Sequence, residues 1–284
     1  MSEKVEIYEV GPRDGLQNEP DIIETSSKVA LIDLLSQAGY RRIEATSFVS
    51  PKWVPQMGDS AAVMTQINRA PGVRYAALTP NMKGYDAARE AKVDEIAVFA
   101  SASEGFSKAN TNASIAENLG RFVPIIQAAR ADDIPVRGYV SCVVECPYDG
   151  AVSPDNVAHV AADLYFLGCS EISLGDTIGK ATPEQVDAML GVVVESVPAE
   201  DLAGHFHDTN GRALDNVEVG LSHGLRVFDA SVGGLGGCPY APGAAGNVAT
   251  EAVLAKLTTL GYETGLDAEI VARAAELARE MSHV

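Results

Sequence analysis

The sequence predicts a (β/α)8 TIM barrel with extra C-terminal helices. Three observations carry this expectation: eight short β-rich runs, an apolar-periodic segment after each, and a length of 284 residues. Strands that alternate with helices indicate a parallel sheet. A chain of this length suits closure into a barrel, which typically takes about 250 residues. An open doubly wound sheet is the alternative. No composition break, linker or low-complexity run divides the chain, so one catalytic domain over 1–284 is expected.

In chain order, VEIYEV (5–10) is the first strand, followed by a periodic helix at 26–38. RRIEATSF (41–48) precedes a helix at 59–69, and VRYAAL (73–78) one at 83–91. DEIAVFA (94–100) leads to 114–131, and VRGYVSC (136–142) to 155–167. EISLGDT (171–177) leads to 184–195, AGHFHDT (203–209) to 211–223, and RVFDASV (226–232) closes the set of eight. Helices near 247–260 and 267–281 follow, and are expected to pack on the barrel.

Composition narrows the function. Hydrophobic residues make up 46% and charged residues 21%, a globular balance with material for a core. The net charge is −18 and no basic run occurs, which argues against a nucleic-acid binder. No signal peptide, transit peptide or membrane-spanning run is read, and a cytoplasmic protein is expected. Four cysteines in so long a chain do not form a disulfide scaffold. Cys142 and Cys146, spaced C-x3-C without a second pair, are a poor structural zinc site.

In a barrel, catalytic residues sit at the C-terminal ends of strands or in the loops after them. The polar residues of this sequence gather there. Arg13 and Asp14 follow strand one, Glu44 lies on strand two, and Asp176 ends strand six. HFHDT ends strand seven, and strand eight runs into GGLGGCPYAPGAAGN, which carries Cys238 and ends at Asn247.

Side chains alternate along a strand, so His205 and His207 share a face and can hold one metal ion. A hydrogen-bonded pair inside the barrel is the competing reading. Asp14, on a strand adjacent once the barrel closes, and the carbonyl of Asn247 would add oxygen ligands. Two nitrogens and two oxygens, with room for water and substrate, suit six-coordinate Mg²⁺ or Mn²⁺. Arg13 reads as a fixed cation aimed at developing negative charge, or as a salt bridge closing the barrel. Glu44 reads as a partner of Arg13 or the metal, or as a structural ion pair. Asp176 either faces substrate or caps the loop behind it. Cys238, in a glycine-rich loop at this end, reads as a proton donor, or as a small buried hydrophobe. The glycines do not form a dinucleotide fingerprint, because Pro239 breaks the spacing and the context is not a first βα turn.

GPRDGLQNE, SFVSPKWVPQM, LTPN, RGYVSC…CPY, LGDTIG, HFHDT and GGLGGCPYAPGAAGN, in that order, resemble the 3-hydroxy-3-methylglutaryl-CoA lyase family over roughly residues 5–265. The related isopropylmalate and homocitrate synthases share the barrel but usually carry a T-L-R-D-G-E-Q motif on strand one and lack the cysteine loop. The resemblance implies divalent-metal-dependent cleavage of the thioester to acetyl-CoA and acetoacetate, a reaction of leucine catabolism or ketogenesis. It implies Asp14, His205, His207 and Asn247 as ligands of Mg²⁺ or Mn²⁺. It implies Arg13 as the enolate stabiliser, Cys238 as the proton-transfer thiol, and Glu44, Asp176 and His205 as further catalytic residues. An acyl-CoA thioester is the expected partner, with neither nucleic acid nor membrane, and a homodimer or larger homo-oligomer is compatible with it. Pro20, Ala109 and Asn210 depart from the family's pattern of lysine, lysine and tyrosine, which bears on CoA contacts and acyl specificity. A lyase for an isohexenylglutaryl-CoA or citramalyl-CoA-like substrate, or a non-catalytic CoA- or metal-binding protein, are the alternatives.

Overall fold

The computed structural model describes residues 3–236 and 246–282. Eight parallel strands close into a barrel: β1 (Glu6–Glu9), β2 (Arg42–Ser47), β3 (Arg74–Leu78), β4 (Glu95–Ser101), β5 (Val136–Ser141), β8 (Glu171–Asp176), β9 (Leu202–Phe206) and β10 (Val227–Ala230). β10 pairs with β1, Glu6 opposite Val227 through Glu9 opposite Ala230, and this pairing closes the ring. The expected strands are all found, with ends that shift by up to three residues; AGHFHDT (203–209) is found as 202–206, so His207 lies just beyond its strand.

Helices α1 (Thr25–Leu35), α2 (Ser60–Gln66), α3 (Met82–Glu90), α5 (Ile115–Ala131), α6 (Pro154–Leu167), α7 (Pro183–Val193), α8 (Ala213–Ser222) and α9 (Thr250–Thr259) connect the strands and cover them. Their starts follow local chemistry. Ser114 with Glu117, and Thr182 with Gln185, form reciprocal capping boxes at α5 and α7. Pro154 and Pro183 occupy first-turn positions where a missing N–H costs nothing. The further helix α10 (Ala268–Met281) buries Val271, Ala274, Ala275 and Ala278. Its cap residue Asp267 donates its backbone N–H to the carbonyl of Ala38, just beyond α1.

Two features were not expected from the sequence: helix α4 (Glu104–Thr111), capped by Ser103, and a small hairpin of β6 (Glu145–Cys146) and β7 (Gly150–Ala151). Both lie in loops at the C-terminal rim. The apolar core lies mainly between the strands' outer faces and the helices. The barrel interior is unusually polar. Arg137, fully buried, pairs with Glu171 at 2.6 Å and with both oxygens of Asp229 at 2.9 and 2.6 Å. Arg42 grips Glu171 through two bonds and reaches Glu6 at 2.7 Å. Tyr8 stacks beneath both guanidinium groups. Among the described residues, no helix is long and apolar enough to cross a membrane.

Candidate active site

The first functional residues come from a turn. After β1, the amides of Arg13, Asp14 and Gly15 all donate to the carbonyl of Val10, at 3.1, 2.8 and 3.2 Å, making one wide helical turn at the barrel mouth. This turn buries Arg13 and leaves Asp14 partly exposed. Arg13 Nε donates to Glu44 Oε2 at 2.6 Å and Nη1 to Asp14 Oδ1 at 2.5 Å. Its guanidinium carbon lies 5.3 Å from the ring centre of Tyr139, whose hydroxyl also donates to Glu44 Oε2 at 3.1 Å. The other oxygen of Glu44, buried, meets no partner among the described residues. Burial raises the Glu44 carboxyl, against the pull of Arg13.

The ladder of β9 supplies the histidines. His205 stands opposite Asp229 on β10, and the two side chains meet, Nδ1 to Oδ2, at 2.9 Å. Asp229 is in turn held by Arg137 and by the Ser173 hydroxyl at 2.8 Å. An ionised Asp229 fixes the proton on His205 Nδ1 and leaves Nε2 as a lone pair. That atom faces His207 Nε2 at 3.4 Å and Asp14 Oδ2 at 3.9 Å. His207 Nδ1 is buried and has no partner among the described residues.

Asp14, His205 and His207 each offer a ligand atom, all within 4.8 Å of one another. No other such group of histidine, cysteine and carboxylate side chains occurs among the described residues. Two imidazole nitrogens and a carboxylate oxygen converging on one point, with an orphaned ring nitrogen behind, fit a divalent cation.

Electrostatics agree with that use. Burial would raise the Asp14 carboxyl, but Arg13 and the two histidines bring it down to about 2. Burial, then the neighbouring His205, pushes His207 down to about 4, so its ring is neutral at pH 7. Burial alone would lower His205. The hydrogen bond and charge of Asp229 outweigh it and the group is raised.

Asn247 reaches the site by a route the periodicity did not show. It lies not in a helix but on an extended stretch before α9, bridged to His207. Its amide nitrogen donates to Asp14 Oδ2 at 2.8 Å. Asp176 sits at the tip of β8, buried, with its oxygens accepting from the amides of Ala181 at 2.9 Å and Lys180 at 3.3 Å. The structure thus brings together Arg13, Asp14, Glu44, His205, His207 and Asn247, and gives Asp176 to the loop behind β8. Cys238 lies outside the described residues. Pro20, Ala109 and Asn210 are all exposed. Tyr139, Asp229 and Arg137 are site residues that sequence reasoning missed. Each lies at an inward position of an expected strand, but its partner is set by barrel register.

Residues 4–278 match the HMGL-like family model. The chain is 57% identical over 267 residues, 94% of its length and 89% of the relative's, to a 3-hydroxy-3-isohexenylglutaryl-CoA/hydroxy-methylglutaryl-CoA lyase of Pseudomonas aeruginosa. The crystal structure of the HMG-CoA lyase from Brucella melitensis superposes with a TM-score of 0.99 at 61% identity, covering 100% of both chains. An HMG-CoA lyase from Acinetobacter baumannii, solved with coenzyme A and 3-methylmalate, superposes with a TM-score of 0.92 at 37% identity, over 98% of this chain and 91% of that one. With its barrel, its histidine–carboxylate cluster and these likenesses, the chain belongs to the HMGL-like family.

Proposed function

We propose that this chain is a carbon–carbon lyase that cleaves 3-hydroxy-3-methylglutaryl-CoA to acetyl-CoA and acetoacetate. The observation that carries the reading is the convergence of Asp14, His205 and His207 beside Arg13 at one barrel mouth. Asp14, His205, His207 and the amide oxygen of Asn247 would hold Mg²⁺ or Mn²⁺. When bound, that ion supplies positive charge that orients the substrate's hydroxyl and carboxylate oxygens and makes the hydroxyl more acidic.

The protein's own groups do the rest. Arg13, held in one rotamer by Glu44 and Tyr139, directs its guanidinium at the thioester oxygen, where charge develops. His205 acts as a ligand rather than a base, because its Nδ1 proton is committed to Asp229 and its one lone pair to the cation. The hydroxyl proton passes to solvent water. As the C2–C3 bond breaks, the hydroxyl oxygen becomes the ketone of acetoacetate. The electron pair moves into the thioester as an enolate. A proton from the Cys238 thiol to C2 completes acetyl-CoA. Asp176 supports this indirectly by capping the 177–181 loop. A cytoplasmic location and an acyl-CoA partner belong to the same reading.

The test is a panel of hydroxymethylglutaryl-CoA, isohexenylglutaryl-CoA and citramalyl-CoA, with acetyl-CoA and the keto acid measured with Mg²⁺ and in excess chelator. Fast, chelator-sensitive release from the first substrate is expected. Much faster cleavage of the isohexenyl substrate would transfer the assignment to it. Binding of the esters with no release of acetyl-CoA from any would end the lyase reading.

A further inference from the structure

We propose that Glu9 is a positioning residue of the metal centre, fixing the turn that carries Asp14 against the segment that carries Asn247 without touching substrate or ion. The inference rests on the reading of Asp14, His205, His207 and Asn247 as ligands.

Tyr8 and Val10 point into the barrel, so Glu9 points outward, into the layer between strands and helices. That layer is apolar: Ile7, Ile43 and Ala45 belong to it. Glu9 is 0% exposed there. A buried carboxyl group is costly unless it is fully hydrogen-bonded. Glu9 meets that demand with four donors drawn from four separate stretches of chain. Oε1 accepts from the amides of Gly11 at 2.8 Å and Val232 at 2.9 Å. Oε2 accepts from the hydroxyls of Tyr40 at 2.9 Å and Thr250 at 2.8 Å.

The identity of the donors gives the inference its direction. Gly11 opens the turn that holds Arg13 and Asp14. Val232 and Thr250 lie on either side of the excursion that carries Asn247, and Tyr40 leads into β2, which carries Glu44. His205 and the approach to His207 are held by the β9 ladder. Asp14 stands on the turn beyond the last β1–β10 pair of Glu9 with Ala230, and Asn247 on an extended stretch bridged to His207 and, at Ala249, to Ser231, so both lie where the continuous ladder has ended. One carboxylate joins both stretches to the end of β1, and the two side chains then meet at 2.8 Å.

The fit leaves no slack. A Cβ on Gly11 would stand 2.7 Å from Glu9 Oε1, and one on Gly15 2.7 Å from both Ser231 Oγ and Leu235 Cβ. A carboxyl that merely satisfied buried donors would contribute stability alone. A positioning carboxyl also sets ion affinity.

The experiment measures Mn²⁺ affinity by paramagnetic resonance, and melting temperature without metal, on the parent, Glu9→Ala, Glu9→Gln, Val63→Ala and His207→Ala. His207→Ala should abolish binding. Glu9→Ala should weaken it about tenfold, the lower end of what outer partners of metal ligands contribute. Glu9→Gln, which keeps an oxygen for the two amides, should weaken it about threefold on the same scale. Val63→Ala, a core truncation on α2, should lower the melting temperature and leave affinity alone. If Glu9→Ala does not fold, Glu9→Gln decides. Affinity within twofold of the parent in the folded Glu9 variants overturns the proposal, whatever their melting temperatures. A parent that binds no Mn²⁺, or binds it equally well without His207, would instead overturn the ligand reading and the inference with it.

Discussion

Asp229 and His205 face each other across the β9–β10 ladder, joined at 2.9 Å, with Arg137 clamping both oxygens of the carboxylate from behind. The chain Arg137–Asp229–His205 therefore decides which imidazole nitrogen is bare. Asp229→Asn removes the charge that holds the proton on Nδ1 and leaves Arg137 with a neutral partner inside the barrel. Loss of such an outer partner costs about 10–100-fold in metal affinity, and breaking a buried pair costs about 3–5 kcal/mol. Metal titration and thermal denaturation should both register the change. A lowered melting temperature with unchanged Mn²⁺ affinity would restrict Asp229 to a structural role.

Arg13→Lys keeps the charge but loses the fork that contacts Glu44 and Asp14 together. The expected result is a fall in kcat of about 10²–10³ with KM little changed, since the lost interaction belongs to the transition state. Steady-state kinetics checks it. A change confined to KM would make Arg13 a binding residue.

Cys142 and Cys169 are buried, and burial pushes both thiols up to about 12. Cys146 is buried as well, accepting from the Ser103 hydroxyl at 2.8 Å. Cys238 should therefore be alkylated first, and a bound substrate analogue should slow its modification. Mass spectrometry of timed iodoacetamide reactions would locate the first adduct. Cys238→Ala should melt near the parent temperature and lose most of its cleavage rate. A destabilised but fully active variant would reassign the thiol to packing.

Glu9 predicts a pH signature of stability. Burial raises its carboxyl from an ordinary 4.5 to about 7, against the pull of its donors. The folded state then holds this proton more tightly than the unfolded chain does. The resulting stability is fully present below pH 4.5 and is lost as pH rises to about 7, by roughly 3 kcal/mol at most. The melting-temperature difference between parent and Glu9→Gln should thus move in the variant's favour between pH 5 and 8. A difference independent of pH over that range would contradict this.

Much of the architecture was legible because each barrel strand is a β-rich run followed by a longer apolar-periodic stretch, and α3, α5, α6 and α7 begin at a capping side chain. Helix α4 escaped because it is only eight residues long, with Phe106 its one large buried apolar side chain. The β6–β7 hairpin has two residues per strand, too few for alternation. At the site, His205 and His207 were legible because i and i+2 share a face whatever the fold. Arg13 and Asp14 were legible because they follow a strand. Asp229 was not, since its partner Arg137 is 92 residues away and meets it only through the stagger of the barrel. Asn247 was read as a helix start because the segment after it is helical. Its extended backbone comes from bridging to His207, a contact that sequence periodicity does not encode. Glu9 sits in a strand run where alternation gives a face but not the four donors that await it.

The segment before β1 pairs with the loop between α9 and α10. The amide of Val5 donates to the carbonyl of Glu263 at 3.0 Å and the amide of Glu263 to that of Glu3 at 3.0 Å; β1 meets β2 at Glu9 and Ile43 on one edge, and on the other edge only residues 227–230. During synthesis, then, one edge of β1 waits for a partner more than two hundred residues later. Until that stretch has left the ribosome, this edge of β1 stays unpaired and nothing brings Arg13 and Asp14 to His205 and His207. Such long-range closure slows folding and leaves strand edges open to wrong partners. The site is therefore assembled last, after the whole ring is in hand, and a chain halted before β10 holds Arg13, Asp14, His205 and His207 without the strand that closes the ring around them.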